Sequence, residues 1–175
     1  MIFVTGRPTF ALVAALAFGQ TPITPAIFFS PTRHSIADAM LALARVTPDD
    51  VVYDLGSGDG RIPIIAAQKY GARAVGVELN GRLVELSWQN ANEGLVANRV
   101  KFVVGNLFQA DISGATVVTL YLSASINQQL EPKLRAELKP GTRIVSHDFL
   151  IGDWKPDELV KIDEATIYLW KVPEK

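Results

Sequence analysis

The 175-residue chain reads as an α/β protein, a Rossmann-like three-layer sandwich built on a mostly parallel seven-stranded sheet with a C-terminal antiparallel hairpin. Three observations predict this. The apolar run Val51-Val52-Tyr53 leads into a glycine turn, and the turn into the apolar stripe Ile62-Pro63-Ile64-Ile65-Ala66-Ala67, which is strand, turn, helix. The order repeats where the strand Ala74-Val75-Gly76-Val77 ends at Glu78 and a helix follows. Near the C-terminus, Leu159 to Ile162 and Ala165 to Lys171 flank the short turn Asp163-Glu164, a hairpin where a dinucleotide-binding sheet would end on parallel strands.

Residues 1–20 stand apart in composition. Arg7 precedes the apolar run Phe10 to Phe18, which is shorter than the roughly 20 residues a membrane span requires and matches the apolar core of a signal peptide. Three readings stay open for it: export, membrane tethering, and a helix packed on the domain. Residues 21–34, with Pro22, Pro25 and Pro31, read as an extended linker, and the folded domain is expected over 35–175. Ser35, three residues before Asp38, approximates a capping box for a helix with Ile36, Met40, Leu43 and Ala44 on one face. Pro48-Asp49-Asp50 turns the chain into the first strand.

The turn Gly56-Ser57-Gly58-Asp59-Gly60 is expected to visit positive φ and to bring bare backbone close to a ligand. A dinucleotide site places its glycines as G-x-G-x-x-G over a pyrophosphate, whereas here they alternate. Asp54, just before the first glycine, would repel a pyrophosphate and accept hydrogen bonds from an ammonium. The helix start after Gly60 favours a carboxylate. A nucleoside carrying an amino acid satisfies both, and S-adenosyl-L-methionine is such a molecule. Glu78, about 20 residues on, stands where a strand-end carboxylate takes ribose hydroxyls. The alternative is that Glu78 opens the next helix, where acids favour the dipole.

Further along, 81–93 is an amphipathic helix ended by Gly94, Val100 to Val104 is the third strand, and Ala115 to Leu122 the fourth. The fourth strand lies beside the first in this architecture, so the residues after it border the ligand crevice. Here these are Tyr121, Ser123, Ser125 and Asn127, hydroxyls and an amide without an acid or histidine. Glu131 to Leu138 continues a helix that Lys139-Pro140-Gly141 breaks, and Thr142 to Ser146 is the fifth strand. His147, at its carboxyl end, either takes a proton or is a structural histidine.

Composition narrows the chemistry. A net charge of −1 offers no basic field for nucleic acid, and no cysteine and two histidines make a metal centre an unfavoured expectation. Chemistry must then come from a cofactor and from oxygen or nitrogen groups.

The segments Asp54-Leu55-Gly56-Ser57-Gly58-Asp59-Gly60-Arg61-Ile62, Val75-Gly76-Val77-Glu78-Leu79-Asn80 and Leu138-Lys139-Pro140-Gly141-Thr142-Arg143-Ile144-Val145-Ser146-His147 resemble a class I S-adenosylmethionine-dependent methyltransferase. More narrowly, the chain resembles bacterial relatives of the mitochondrial protein-lysine methyltransferases of adenine nucleotide translocase and ATP synthase subunit c. The similarity covers roughly residues 27 to 160. It implies a lysine side chain of a protein as acceptor and, because such enzymes carry an apolar segment before the catalytic domain, membrane tethering; a cofactor made inside cells points to a cytoplasmic or membrane-associated enzyme, with export left open by the N-terminus. It implies that Thr32 closes over the methionine end of the cofactor. Asn106 stands where such enzymes usually place an aspartate on the adenine amino group, Leu79 and Leu107 would sandwich the base, and an asparagine in a plain turn is the alternative at Asn106. Tyr121, Ser123, Asn127 and His147 are the candidate catalytic residues, and the absence of Asn/Asp-Pro-Pro-Tyr at Tyr121 argues against a base-amino methylase. The rivals are a small-molecule methyltransferase and a nucleoside- or NAD-binding module without transfer activity.

Overall fold

The computed structural model describes residues 31–174, so the readings for residues 1–20 and for most of the linker lie outside the described residues. Helices α1 (His34–Leu43), α2 (Arg61–Tyr70), α3 (Gly81–Glu93) and α4 (Ala124–Glu137) alternate with strands β1 (Val51–Leu55), β2 (Arg73–Glu78), β3 (Val100–Val104), β4 (Val117–Leu120), β5 (Arg143–His147), β6 (Glu158–Ile162) and β7 (Ala165–Lys171). The strands form one seven-stranded sheet in the order β3-β2-β1-β4-β5-β7-β6, parallel except for β7, which runs antiparallel to both β5 and β6. No described helix is long and apolar enough to cross a membrane.

Alternation along the strands splits the core into two layers. Val52, Ala74, Phe102, Val117 and Val145 face α1, α2 and α3, where they meet Ile36, Met40, Ile62, Ala66 and Val84. Leu55, Val77, Val118, Leu120 and Ile144 face the other way, against Leu130, Leu134 and Leu138 of α4 and its C-terminal turn. Because β1 pairs with β2 on one side and β4 on the other, the chain changes direction between β1 and β4. In a parallel sheet, the crevice beyond the strand ends at that point is where ligands bind.

Two helix boundaries differ from expectation. Helix α1 starts two residues earlier than the capping-box reading, with Arg33 in place of Ser35 as N-cap and no side-chain cap. Asp38 instead meets Lys69 Nζ at 2.6 Å and accepts from the Tyr70 hydroxyl at 2.8 Å on α2. Helix α4 begins at Ala124 because the Ser123 hydroxyl accepts from the Ile126 amide, so the polar stretch after β4 is a first helical turn instead of a loop.

The end of the sheet opposite the crevice is tied by Asp50. Its carboxylate accepts from the Thr47 amide at 2.8 Å and the Thr116 hydroxyl at 2.7 Å and pairs with the Arg143 guanidinium. Arg143 in turn donates to the Ala44 carbonyl at 2.7 Å, joining the end of α1 to β1, β4 and β5. Burial pushes the Asp50 pKa up, but the hydrogen bonds and Arg143 outweigh it and leave the pKa below the usual carboxylate value. A depressed folded pKa gives stability that is present above the unfolded value of 3.8 and lost as pH falls through the folded one. Asp50→Asn should therefore cost about 1–2 kcal/mol at pH 7 with cofactor affinity unmoved, as read by urea unfolding and calorimetric titration.

Candidate active site

The three alternating glycines all take positive φ, at +84° for Gly56, +54° for Gly58 and +79° for Gly60. Their service to the site differs from expectation. A Cβ on Gly56 would lie 2.7 Å from Leu122 Cδ2, and one on Gly60 would lie 2.7 Å from Phe102 Cζ and 2.8 Å from Ser87 Cβ. At these two positions the missing Cβ makes room for the protein's own side chains, so the turn can sit flat on β3, α3 and the end of β4. Ser57 likewise turns its side chain inward, where its hydroxyl would be 2.6 Å from a Cβ on Gly76. That hydroxyl is buried without a hydrogen-bond partner, so Ser57 can meet a ligand in the crevice only through its backbone.

Glu78 closes the turn from the neighbouring strand. One carboxylate oxygen accepts from the Gly58 amide at 3.0 Å and the other from the Asn80 amide at 2.9 Å. The acid thus holds the glycine turn and the start of α3, as the helix-opening reading expects, while staying half-buried at the end of β2. Asn80 caps α3 by accepting from the Arg82 amide at 3.0 Å.

Asp54 is 3 % exposed and receives a hydrogen bond of 2.7 Å from the Thr119 hydroxyl, its register partner on β4. Burial pushes its pKa up to about 7, the Thr119 bond opposes this, and the negative charges of Glu78 and Asp59 push it up further. It has no cation among the described residues. A buried carboxylate in this condition suits a ligand that brings an ammonium to donate to it, as S-adenosylmethionine does.

The Asp59 side chain in the glycine turn is taken up by the protein itself. Arg61 grips it in a fork, Nε to Oδ1 at 2.9 Å and Nη2 to Oδ2 at 2.6 Å, while Nη1 reaches the Thr32 carbonyl at 2.7 Å. Burial raises the Asp59 pKa, but Arg61 more than offsets it and the carboxylate stays below its usual value. Arg61, unremarked in sequence, is therefore the tie that draws the segment before α1 over the glycine turn, leaving Thr32 4 % exposed.

At the adenine end, Leu79 is 60 % exposed beside Val104 at 58 %, an apolar surface at the ends of β2 and β3. Leu107 is not its partner across a base, because it is buried in the core layer facing α4. Phe108, 38 % exposed, is the apolar side chain that this loop leaves outward. The Asn106 amide oxygen accepts from the Phe108 amide at 2.9 Å, so the asparagine forms a turn of its own.

The candidate catalytic residues separate into two groups. Tyr121 and His147 stack with ring centroids 4.0 Å apart and line an open cleft of about 680 Å³ together with Pro31, Arg33, Asp148, Asp163, Glu164 and Ala165. Burial lowers the His147 pKa, Asp148 raises it and Arg33 lowers it, for a net depression that favours neutral imidazole. Ser123 caps α4 and shares a hydrogen bond of 3.1 Å with Ser125. Asn127 lies fully buried, its amide nitrogen donating to the Ser146 hydroxyl at 3.1 Å and the Phe149 carbonyl at 3.2 Å. Helix α4 starts too early to leave Asn127 at the crevice, so it joins α4 to the end of β5.

This geometry matches known proteins. The ANTKMT methyltransferase domain family matches residues 54–158. A protein-lysine N-methyltransferase of Saccharolobus islandicus is 44 % identical over 155 residues, covering 86 % of this chain and 96 % of that one. The adenine nucleotide translocase lysine N-methyltransferase of Mus musculus is 34 % identical over 161 residues, covering 91 % of this chain and 69 % of the mouse protein. A crystal structure described as an RNA methyltransferase from Salinibacter ruber, in complex with S-adenosyl-L-homocysteine, is 53 % identical with a TM-score of 0.82 and covers 83 % of this chain and 95 % of that one. Glycine turn, strand-end acid and terminal hairpin are thus those of a class I S-adenosylmethionine-dependent methyltransferase, and the chain belongs to the ANTKMT methyltransferase domain family.

Proposed function

We propose that the acceptor is the side-chain amine of a protein lysine. The observation that carries this is the cleft beside the cofactor crevice, with a stacked tyrosine and histidine on its wall and three carboxylates, Asp148, Asp163 and Glu164, around it. The name of the Saccharolobus relative, which matches this chain over nearly its whole length, supports it. The RNA named for the Salinibacter protein is disfavoured as acceptor, because an acidic rim repels a phosphate backbone.

S-adenosylmethionine supplies an electrophilic methyl group, so the protein's task is alignment and exclusion of water. The proposed roles are these. Asp54 holds the ammonium of the cofactor's amino acid, Glu78 the ribose, Leu79 one face of the base, and the Thr32 segment covers the methionine end. Tyr121 follows Leu120, which pairs with Leu55 just before Gly56, so the aromatic wall starts beside the glycine turn. A lysine amine must arrive neutral, and its ordinary pKa of about 10.4 falls when it is desolvated. Neutral His147 stands ready to take up the proton that is lost.

The test is transfer of a radiolabelled methyl group from S-adenosylmethionine to a denatured protein mixture and to total RNA, followed by hydrolysis of each. Label in N-methyllysine is expected. Label in nucleotides alone would overturn the assignment.

A further inference from the structure

The acidic side of the cleft is built from two segments that the sheet places side by side. Asp163 and Glu164 form the two-residue turn between β6 and β7, and Asp148 follows β5. Asp148 is engaged with its neighbours, since Oδ1 accepts from the Thr166 amide at 2.8 Å and Oδ2 lies 3.4 Å from His147 Nε2. Asp163 faces Arg33 across the mouth, with Nη1 to Oδ2 at 3.6 Å and side chains 60 % and 67 % exposed. Glu164 has no ion-pair partner among the described residues. Inside the mouth, His147 is 6 % exposed and its Nδ1 has no hydrogen-bond partner, a buried polar atom in a cleft wall that is suited to a ligand.

One cation already stands in this acidic mouth. Arg33 belongs to the same short segment that Arg61 draws over the glycine turn, and it is close enough to His147 to lower the histidine's pKa. Its pairing with Asp163 is long and solvated, which makes it weak and exchangeable. We propose that Asp163 and Glu164 are the capture site for the protonated acceptor amine, and that Arg33 holds the place until an incoming ammonium displaces it from Asp163. This rests on the lysine reading and adds the residues that select for a cationic acceptor. A lysine ammonium meets the carboxylates at the rim while still charged, and only past them, beside Tyr121 and His147, is it stripped of water.

Steady-state transfer to a synthetic peptide carrying a single lysine among alanine, glycine and serine tests this, with Asp163→Asn, Glu164→Gln and Arg33→Ala compared with the unaltered chain. Asparagine tolerates the positive φ of +53° at position 163, so the turn is kept. The acid variants should raise KM for the peptide roughly three- to tenfold at low salt, with the effect falling on KM and not kcat and fading at 0.5 M salt. Arg33→Ala should move KM the other way, down roughly two- to fivefold, because a competing cation is gone. An unmoved KM in any of the three, or a rise with Arg33→Ala, overturns the capture site while leaving the lysine reading intact. No N-methyllysine from the unaltered chain, on this peptide or on denatured protein, removes both.

Discussion

Glu78→Ala should weaken S-adenosyl-L-homocysteine binding about a hundredfold and lower the stability of the free protein by about 1–3 kcal/mol. Two separable losses are expected, one from the bonds the carboxylate makes in the structure and one from the ribose contact proposed for it. It accepts from the amides of Gly58 and Asn80, and alanine leaves both donors without a partner at a half-buried position. The glycine turn, already at positive φ in three places, then keeps its Gly56 and Ser57 amide bonds to the Val77 carbonyl of β2 but loses the one at Gly58. The second loss is the charge-assisted bond to ribose, worth about 1.5–3 kcal/mol for a charged acceptor. Calorimetric titration and urea unfolding on one preparation separate them. A stability loss with unchanged affinity would leave Glu78 as a tie between turn and helix and take it out of the ribose site. Glu78→Gln, which keeps one accepting oxygen and turns an NH₂ toward the second amide, should fall between alanine and the unaltered chain in both measurements.

Local order made parts of the site legible in sequence. Glu78 was visible because strand, acid and helix follow in order, and Asp54 because an acid before alternating glycines excludes pyrophosphate. The sheet could be read because apolar runs, turns and helical stripes are local patterns, and the hairpin at Asp163-Glu164 announced the antiparallel finish. The structure supplied what depends on register. Thr119 holds Asp54 only because β1 and β4 pair at those two residues, and nothing near Thr119 in sequence points to it. Arg61 lay inside the motif, but its partner Thr32 is 29 residues away, a contact set by packing. Leu107 and Asn127 went the other way. Each sits at a strand or helix end where one residue of phase decides between crevice and core, and both fell to the core.

The affinity for S-adenosyl-L-homocysteine should fall about a hundredfold between pH 8 and pH 5, with Asp54 as the cause. A free-protein pKa of about 7 means that the carboxylate is largely protonated at pH 5, and only the ionised form can pair with the ligand's ammonium. Binding below pH 7 must then expel a proton, which weakens it tenfold per pH unit until the pKa of the bound state is reached. The free protein moves in the opposite direction. Its folded pKa is raised above the unfolded 3.8, so the folded state binds the proton more tightly and stability falls as pH rises from about 4 to about 7. At ~1.4 kcal/mol per pH unit, that window is on the order of 4 kcal/mol. Asp54→Asn should remove both slopes at once. Its amide oxygen still accepts from Thr119, no buried charge remains, and the free variant at pH 8 should be more stable by about 1–3 kcal/mol. Its affinity at pH 8 should drop roughly 10- to 100-fold, since a charged partner for the ammonium is gone. Gained stability with lost binding is a pairing that general damage to the fold cannot produce. A variant that keeps the affinity and pH profile of the unaltered chain would place the ammonium elsewhere and leave Asp54 a buried acid without a ligand.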